Sequence, residues 1–141
     1  MPRLVRCVIA ALVALGLGAP VRALEAADRS ALRSMVERQI EAFRRDDAEA
    51  AYAFASPGLQ SVFGTPERFL QMVREGYRPV HRPRTYAFGP DRDAPAGPEI
   101  SLRIQDGDGV DWDVVYSFER APDGTWRISG CRLVKAPGES V

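Results

Sequence analysis

"EISLRIQDGDGVDWDVVYSFER", residues 99 to 120, decides the fold. Ile100, Leu102 and Ile104 alternate with Ser101, Arg103 and Gln105. Trp112, Val114, Tyr116 and Phe118 then alternate with Asp111, Asp113, Val115, Ser117 and Glu119. A period of two is the mark of a strand with one apolar and one polar face. "DGDG" between the two runs supplies a turn. The stretch predicts an antiparallel hairpin whose large apolar side chains share one face. A second layer must cover that face.

Downstream, "APDG" makes a further turn and "TWRISGCRLV" a last strand. Simple alternation puts Trp126 and Ile128 on one face, and Cys131 and Leu133 on the other. Upstream, "RTYAFG" from Arg84 is a short strand, and "DRDAPAGP" reads as a polar loop with two prolines. The count is about four strands.

The covering layer precedes them. In "DRSALRSMVERQIEAFRRDD", Leu32, Met35, Val36, Gln39, Ile40 and Phe43 recur every three or four residues and form one helical face. Asp28 suits its start, and Arg44 and Arg45 suit the negative end of its dipole. "DDAEAAYAFASPG" reads as a shorter helix capped by Asp46 or Asp47 and ended by Pro57 and Gly58. "TPERFLQMVREG" is a third, with Thr65 as N-cap, Pro66 in the first turn and Gly76 at the close. Phe69, Leu70, Met72 and Val73 form its buried side. Leu59 to Gly64 is read as one loose turn. Helices first and strands after imply an α+β fold, with helices packed on one face of a curved antiparallel sheet.

The chain opens with "MPRLVRCVIAALVALGLGAPVRALEA". Arg3 and Arg6 precede an apolar run, and Val21 and Ala23 have the small-residue spacing that signal peptidase accepts. The run is shorter than the ~20 residues that span a bilayer. Residues 1–23 are therefore expected to be cleaved, leaving one domain over 24–135 and a flexible tail over 136–141. The protein is expected in the periplasm or outside the cell, with no membrane attachment after cleavage. Losing Arg3, Arg6 and Arg22 from 19 basic residues, against 19 acidic ones, leaves a slightly acidic chain. That balance gives no drive toward nucleic acid. Cys131 alone survives cleavage, so the core must hold the fold without an internal disulfide.

Several stretches together resemble the nuclear transport factor 2-like superfamily: Ala55-Ser56-Pro57, Phe63, "FLQMVREGYRPV" from Phe69 to Val80, and "GTWRISG" from Gly124 to Gly130. The similarity runs from about Ile40 to Leu133. Within the superfamily, the chain resembles small exported bacterial proteins labelled only as a domain of unknown function. The resemblance implies a cone in which the sheet wraps the long helix and leaves an apolar pocket at the wide end. Members include isomerases and dehydratases, ligand binders, and dimerisation or accessory domains, so the fold alone selects no function.

Enzymatic relatives place an Asp, His or Tyr inside the cone. The inward faces here carry neither carboxylate nor histidine, and Tyr116 has no base beside it. No catalytic residue is assigned. In "DGDGVDWD", Asp106, Asp108, Asp111 and Asp113 have part of a calcium-loop spacing, but Val110 falls on a ligand position and no glutamate follows. One histidine and one remaining cysteine do not make a zinc site. No metal or cofactor is expected.

"GYRPVHRPRTYAFG", from Gly76 to Gly89, holds the only histidine. Pro79 and Pro83 predict an extended strap. Arg78, His81, Arg82 and Arg84 on it would rim the pocket mouth and favour an acid-headed ligand; otherwise they are solvated charges paired nearby. Tyr52, Phe69, Met72, Tyr86, Trp112 and Tyr116 are the candidate lining. The leading expectation is a non-enzymatic binding or accessory module for a small apolar or acid-headed ligand. An isomerase- or dehydratase-like enzyme is the second reading. A homodimer joined through Val115, Cys131 and Leu133 on the outer sheet face is the third.

The leader reading has a direct check. Mass spectrometry of the native protein should find an N-terminus at or near Leu24, and an intact Met1 or Pro2 start would refute cleavage.

Overall fold

The computed structural model describes residues 25–137. The leader and residues 138–141 of the tail lie outside the described residues. The elements are α1 (Ala26–Arg44), α2 (Ala48–Ala53), α3 (Pro57–Phe63), α4 (Pro66–Gly76), α5 (Arg78–His81), β1 (Thr85–Ala94), β2 (Gly97–Gln105), β3 (Asp111–Arg120) and β4 (Trp126–Lys135). The strands form one curved, unclosed antiparallel sheet in the order β1-β2-β3-β4. The class is α+β, as the periodicities predict.

The α1 stripe meets the alternating face of β2 and β3. Leu32, Val36, Ile40 and Phe43 are buried in one cluster with Ile100, Leu102, Ile104, Val114, Tyr116 and Phe118. Each buried side chain of this size contributes roughly 1.5–3 kcal/mol relative to exposure. Side-chain caps fix the shorter helices: Asp47 accepts from Ala50 N, Ser56 from Leu59 N and Thr65 from Arg68 N. α1 begins two residues earlier than expected, so Asp28 lies in its first turn and not at the cap.

Four local expectations are corrected. Pro57 opens α3 instead of ending α2, because Ser56-Pro57 is a cap followed by a proline in the first turn, the same signal as Thr65-Pro66. Pro79 likewise occupies the first turn of α5, so Arg78–His81 is a helical turn and not an extended strap. "DRDAPAGP" is largely strand: β1 runs to Ala94, Pro95 and Ala96 make a tight turn, and β2 starts at Gly97. A bulge between Phe88 and Asp91 takes up Gly89 and Pro90.

The fourth correction concerns β4. Phe118 pairs with Ile128 and Ser117 with Gly130, so Ser129 is an extra residue. That bulge reverses the side-chain parity downstream. Cys131 now sits opposite Tyr116 and Leu133 opposite Val114, and both pack against the core. They leave the outer face, where only Val115 of the expected dimer patch remains. The tail is also shorter than expected, since Ala136 N donates to Asp111 O at 2.9 Å.

Gly97 has φ 143°, and a Cβ there would collide with the Phe118 carbonyl oxygen. Gly97→Ala should destabilise the fold by about 2 kcal/mol through backbone strain and this clash. A urea midpoint unchanged from wild type would refute the account.

Candidate functional site

Between the helices and the inner face of the sheet lies a cavity of about 200 Å³. Its wall is built around Phe69 of α4. That ring lies 6.0 Å from Phe43, 5.8 Å from Tyr52 and 5.5 Å from Phe63, centroid to centroid, each pair tilted. Aromatic pairs at such separations contribute roughly 0.5–1.5 kcal/mol each beyond the area they bury. α3 closes one side with Leu59 and Phe63, and the β4 bulge swings Cys131 onto the sheet side.

Besides the Cys131 thiol, three polar side chains belong to this wall: the half-buried Tyr77, at the end of α4, and two buried ones. Gln39 of α1 is buried, and its Nε2 donates to Ala51 O at 3.1 Å. Tyr116 is buried, and its hydroxyl has no hydrogen-bond partner. Burial pushes the Tyr116 phenol well above its ordinary value, with the neighbouring Cys131 adding to the effect. Burial also pushes the Cys131 thiol up to about 12. Neither group is ionised near neutral pH, so Cys131 is not a thiolate nucleophile there. None of the lining residues is a carboxylate, a histidine or a cation.

Of the expected lining, Phe69, Met72 and Tyr116 face the cavity. Tyr52, Tyr86 and Trp112 do not. Tyr52 buttresses the wall from behind: its hydroxyl donates to Gln60 O at 2.6 Å, and Gln60 Nε2 donates back to Tyr52 O at 3.0 Å. This reciprocal pair ties α3 to α2. Tyr86 packs edge-on against Phe88 beneath Arg44. Trp112 donates from Nε1 to Asp106 Oδ2 at 2.9 Å. Gln39 was visible in the sequence as the one polar member of the long helical stripe. Leu59, Phe63 and Cys131 depended on α3 and the bulge, which simple alternation does not reveal.

The basic residues are elsewhere. Arg78, His81 and Arg82 line a separate open groove beside Trp112, together with Glu75, Asp106 and Asp108. Arg84 lines neither space; its backbone N–H donates to Gln105 O at 2.8 Å. A cationic rim at the cavity mouth is therefore not what these residues form. The organiser is Asp46, in the left-handed region at φ 54° between α1 and α2. Its carboxylate lies 2.8 Å from His81 Nε2, 2.7 Å from an Arg82 terminal nitrogen and 3.0 Å from one of Arg74. The His81 contact, then that of Arg74, lowers the Asp46 carboxyl to about 2. Asp46 thus engages Arg74, His81 and Arg82 within the chain, and Arg78 and Arg84 take no part in these contacts.

Asp106 serves its own turn. Oδ1 accepts from Asp108 N and Val110 N, each at 2.9 Å, while Oδ2 accepts from Trp112. Among the described residues, no group of three or more His, Cys, Asp or Glu side chains is placed to hold a metal ion.

Helices laid on a curved antiparallel sheet, enclosing a small uncharged cavity, define a pocketed α+β module. The chain belongs to the family described as Domain of unknown function (DUF4864), whose model matches residues 25–141. No curated protein and no solved structure matches it.

The Asp46 junction sets a pH dependence. Its folded pKa is depressed, so its contribution to stability is full above the unfolded value near 3.8 and fades as pH falls toward about 2. Asp46→Asn should lower the melting temperature at pH 6, and the gap from wild type should close between pH 4 and pH 2. A gap that persists at pH 2 would contradict the assignment.

Proposed function

We propose that this protein is an exported, non-enzymatic binding or accessory module that holds a small apolar ligand in the cavity. The observation that carries the reading is the composition of the wall, which is apolar apart from three neutral polar side chains, Gln39, Tyr77 and Tyr116, and the weakly polar thiol. Binding sites of this kind use apolar walls for affinity and a few polar groups for orientation. The volume exceeds the roughly 150 Å³ of a dry apolar cavity that takes up benzene. An occupant of about one ring fits that scale.

The order of elements and the cavity between helices and sheet are compatible with the nuclear transport factor 2-like cone, and we assign the chain to that superfamily on this basis. Export rests on the leader. An isomerase or dehydratase step needs a base within reach of the substrate. Tyr116 and Cys131, both held protonated, do not supply one. The acid-headed ligand loses its support because none of the candidate arginines lines this cavity: Arg78 and Arg82 sit in another groove, and Arg84 lines neither. The homodimer loses two of its three outer apolar residues.

Toluene tests the reading on the mature chain. At about ten times its Kd it should raise the melting temperature by about 5 °C for a domain of roughly this size. Met72→Trp, which fills the cavity, should abolish the shift. No shift in wild type, or an undiminished one in the variant, would defeat the proposal.

A further inference from the structure

Resting on that binding reading, we infer that the occupant of the cavity is an aromatic side chain carried by an extended peptide, which adds as a strand to the open edge of β4. Three observations point to this partner.

The first is the edge itself. β4 stands last in the sheet order, so one of its sides has no strand beside it. In an antiparallel pair, successive residues turn their backbone groups alternately toward the neighbouring strand and away from it. Ala136 N donates to Asp111 O, so Val134 and Arg132, in step with Ala136, also turn toward β3. Cys131, Leu133 and Lys135 turn their N–H and C=O groups to the open side. Among the described residues, no main-chain group of a helix or loop bonds to them there. Before the bulge the same edge is in use: Ile128 exchanges backbone bonds with Phe54 and Ser56, and Ala55 is bridged to it in parallel. The protein thus pairs an extended segment with the start of this edge and leaves the rest for another.

The second is where the cavity lies. Gly130 and Cys131 of β4 line it, facing Met72 and Tyr77 at the end of α4. It is partly open, and Leu59, Phe63, Met72, Tyr77 and Cys131 in its lining are only half-buried. Those residues come from α3, the end of α4 and β4, which puts the opening beside the β4 edge. Two residues along the strand, Leu133 lines the open groove of about 1000 Å³, across from Arg74, Gly76 and Arg78. Alternate residues of a strand lie about 7 Å apart on one face. An added strand therefore sends one side chain into the cavity beside Cys131 and the next over the groove beside Leu133. Backbone bonds to such an edge supply affinity, and the pocket selects the side chain. A cavity of about 200 Å³ with an apolar wall selects a phenylalanine-like ring.

The third is exposure. Among the described residues, the large apolar side chains left exposed are Val62 and Val134, and Val134, at 60%, is on this edge. The outward side chains of an added strand cover it. A second copy of β4 does not supply the ring. Its residues on the cavity side are Cys131, Leu133 and Lys135, and the first two are packed on their own core.

The test is calorimetric titration of the mature chain with four probes. Three are blocked threonine hexapeptides: one with phenylalanine at its third position, one with alanine there, and the phenylalanine peptide with every backbone nitrogen methylated. The fourth is toluene. The phenylalanine peptide should bind about tenfold tighter than the alanine peptide, the effect of burying one ring. Methylation should remove at least tenfold of its affinity, since it deletes the donors that face β4. Saturation with the unmethylated peptide should slow amide exchange at Cys131 and Leu133 by tenfold or more. An alanine or methylated peptide that binds as tightly overturns the inference and leaves the cavity reading standing, as does toluene binding with no peptide binding. Binding of neither toluene nor peptide defeats both. Protection of the same amides without peptide also overturns the inference: with rising protein concentration it identifies a second copy on the edge, and at every concentration the chain's own tail.

Discussion

The fold depends on one burial: the side chains of Leu32, Val36, Ile40 and Phe43 against the inner face of β2 and β3. A hairpin with Ile100, Leu102, Ile104, Val114, Tyr116 and Phe118 on one side is not stable with that face in water. α1 provides the cover, and the remaining helices are arranged around the part of the sheet that α1 does not reach. α4 brings Phe69, Leu70 and Val73 to that space. The cavity is where this second cover fits less closely than the first.

Much of the architecture was legible because periodicity records burial directly. The long helix and the β2–β3 hairpin each repeat a period over enough residues to exclude the alternative. What was missed has two physical sources. The first is parity: a single extra residue at Ser129 moves Cys131 and Leu133 to the inner face, and alternation carries no sign of it. The second is proline. Pro57 reads as a helix stop and Pro79 as part of an extended strap, yet both lie in first turns, where a missing N–H has no cost. The site shows the same division. Phe69 and Met72 follow from the stripe on α4, and Gln39 from the stripe on α1. The Asp46–His81 contact joins residues 35 apart in the chain, and only the folded arrangement reveals it.

The two polar regions of the molecule differ in kind. Around Asp46, opposite charges meet within 3.0 Å and leave a closed set of contacts. Its work is to join the end of α1 to α4 and the segment that follows it. In the cavity wall, Tyr116 is left without a partner.

The junction between α2 and α3 has a further consequence. Ile128 N donates to Phe54 O, and Ser56 N donates to Ile128 O, each at 2.8 Å, with Ala55 bridged in parallel to Ile128. Main chain from the helical layer thus occupies part of the outer edge of β4. Beyond the bulge, the same strand carries Arg132 and Lys135, both exposed. A bare strand edge is a template on which a second chain can add. This one is blocked by backbone at its start; farther along, Arg132 reaches across the sheet to Glu99 Oε2 at 3.1 Å, and Lys135 carries an exposed positive charge. The segment that walls the cavity is therefore also the one that covers the start of the β4 edge.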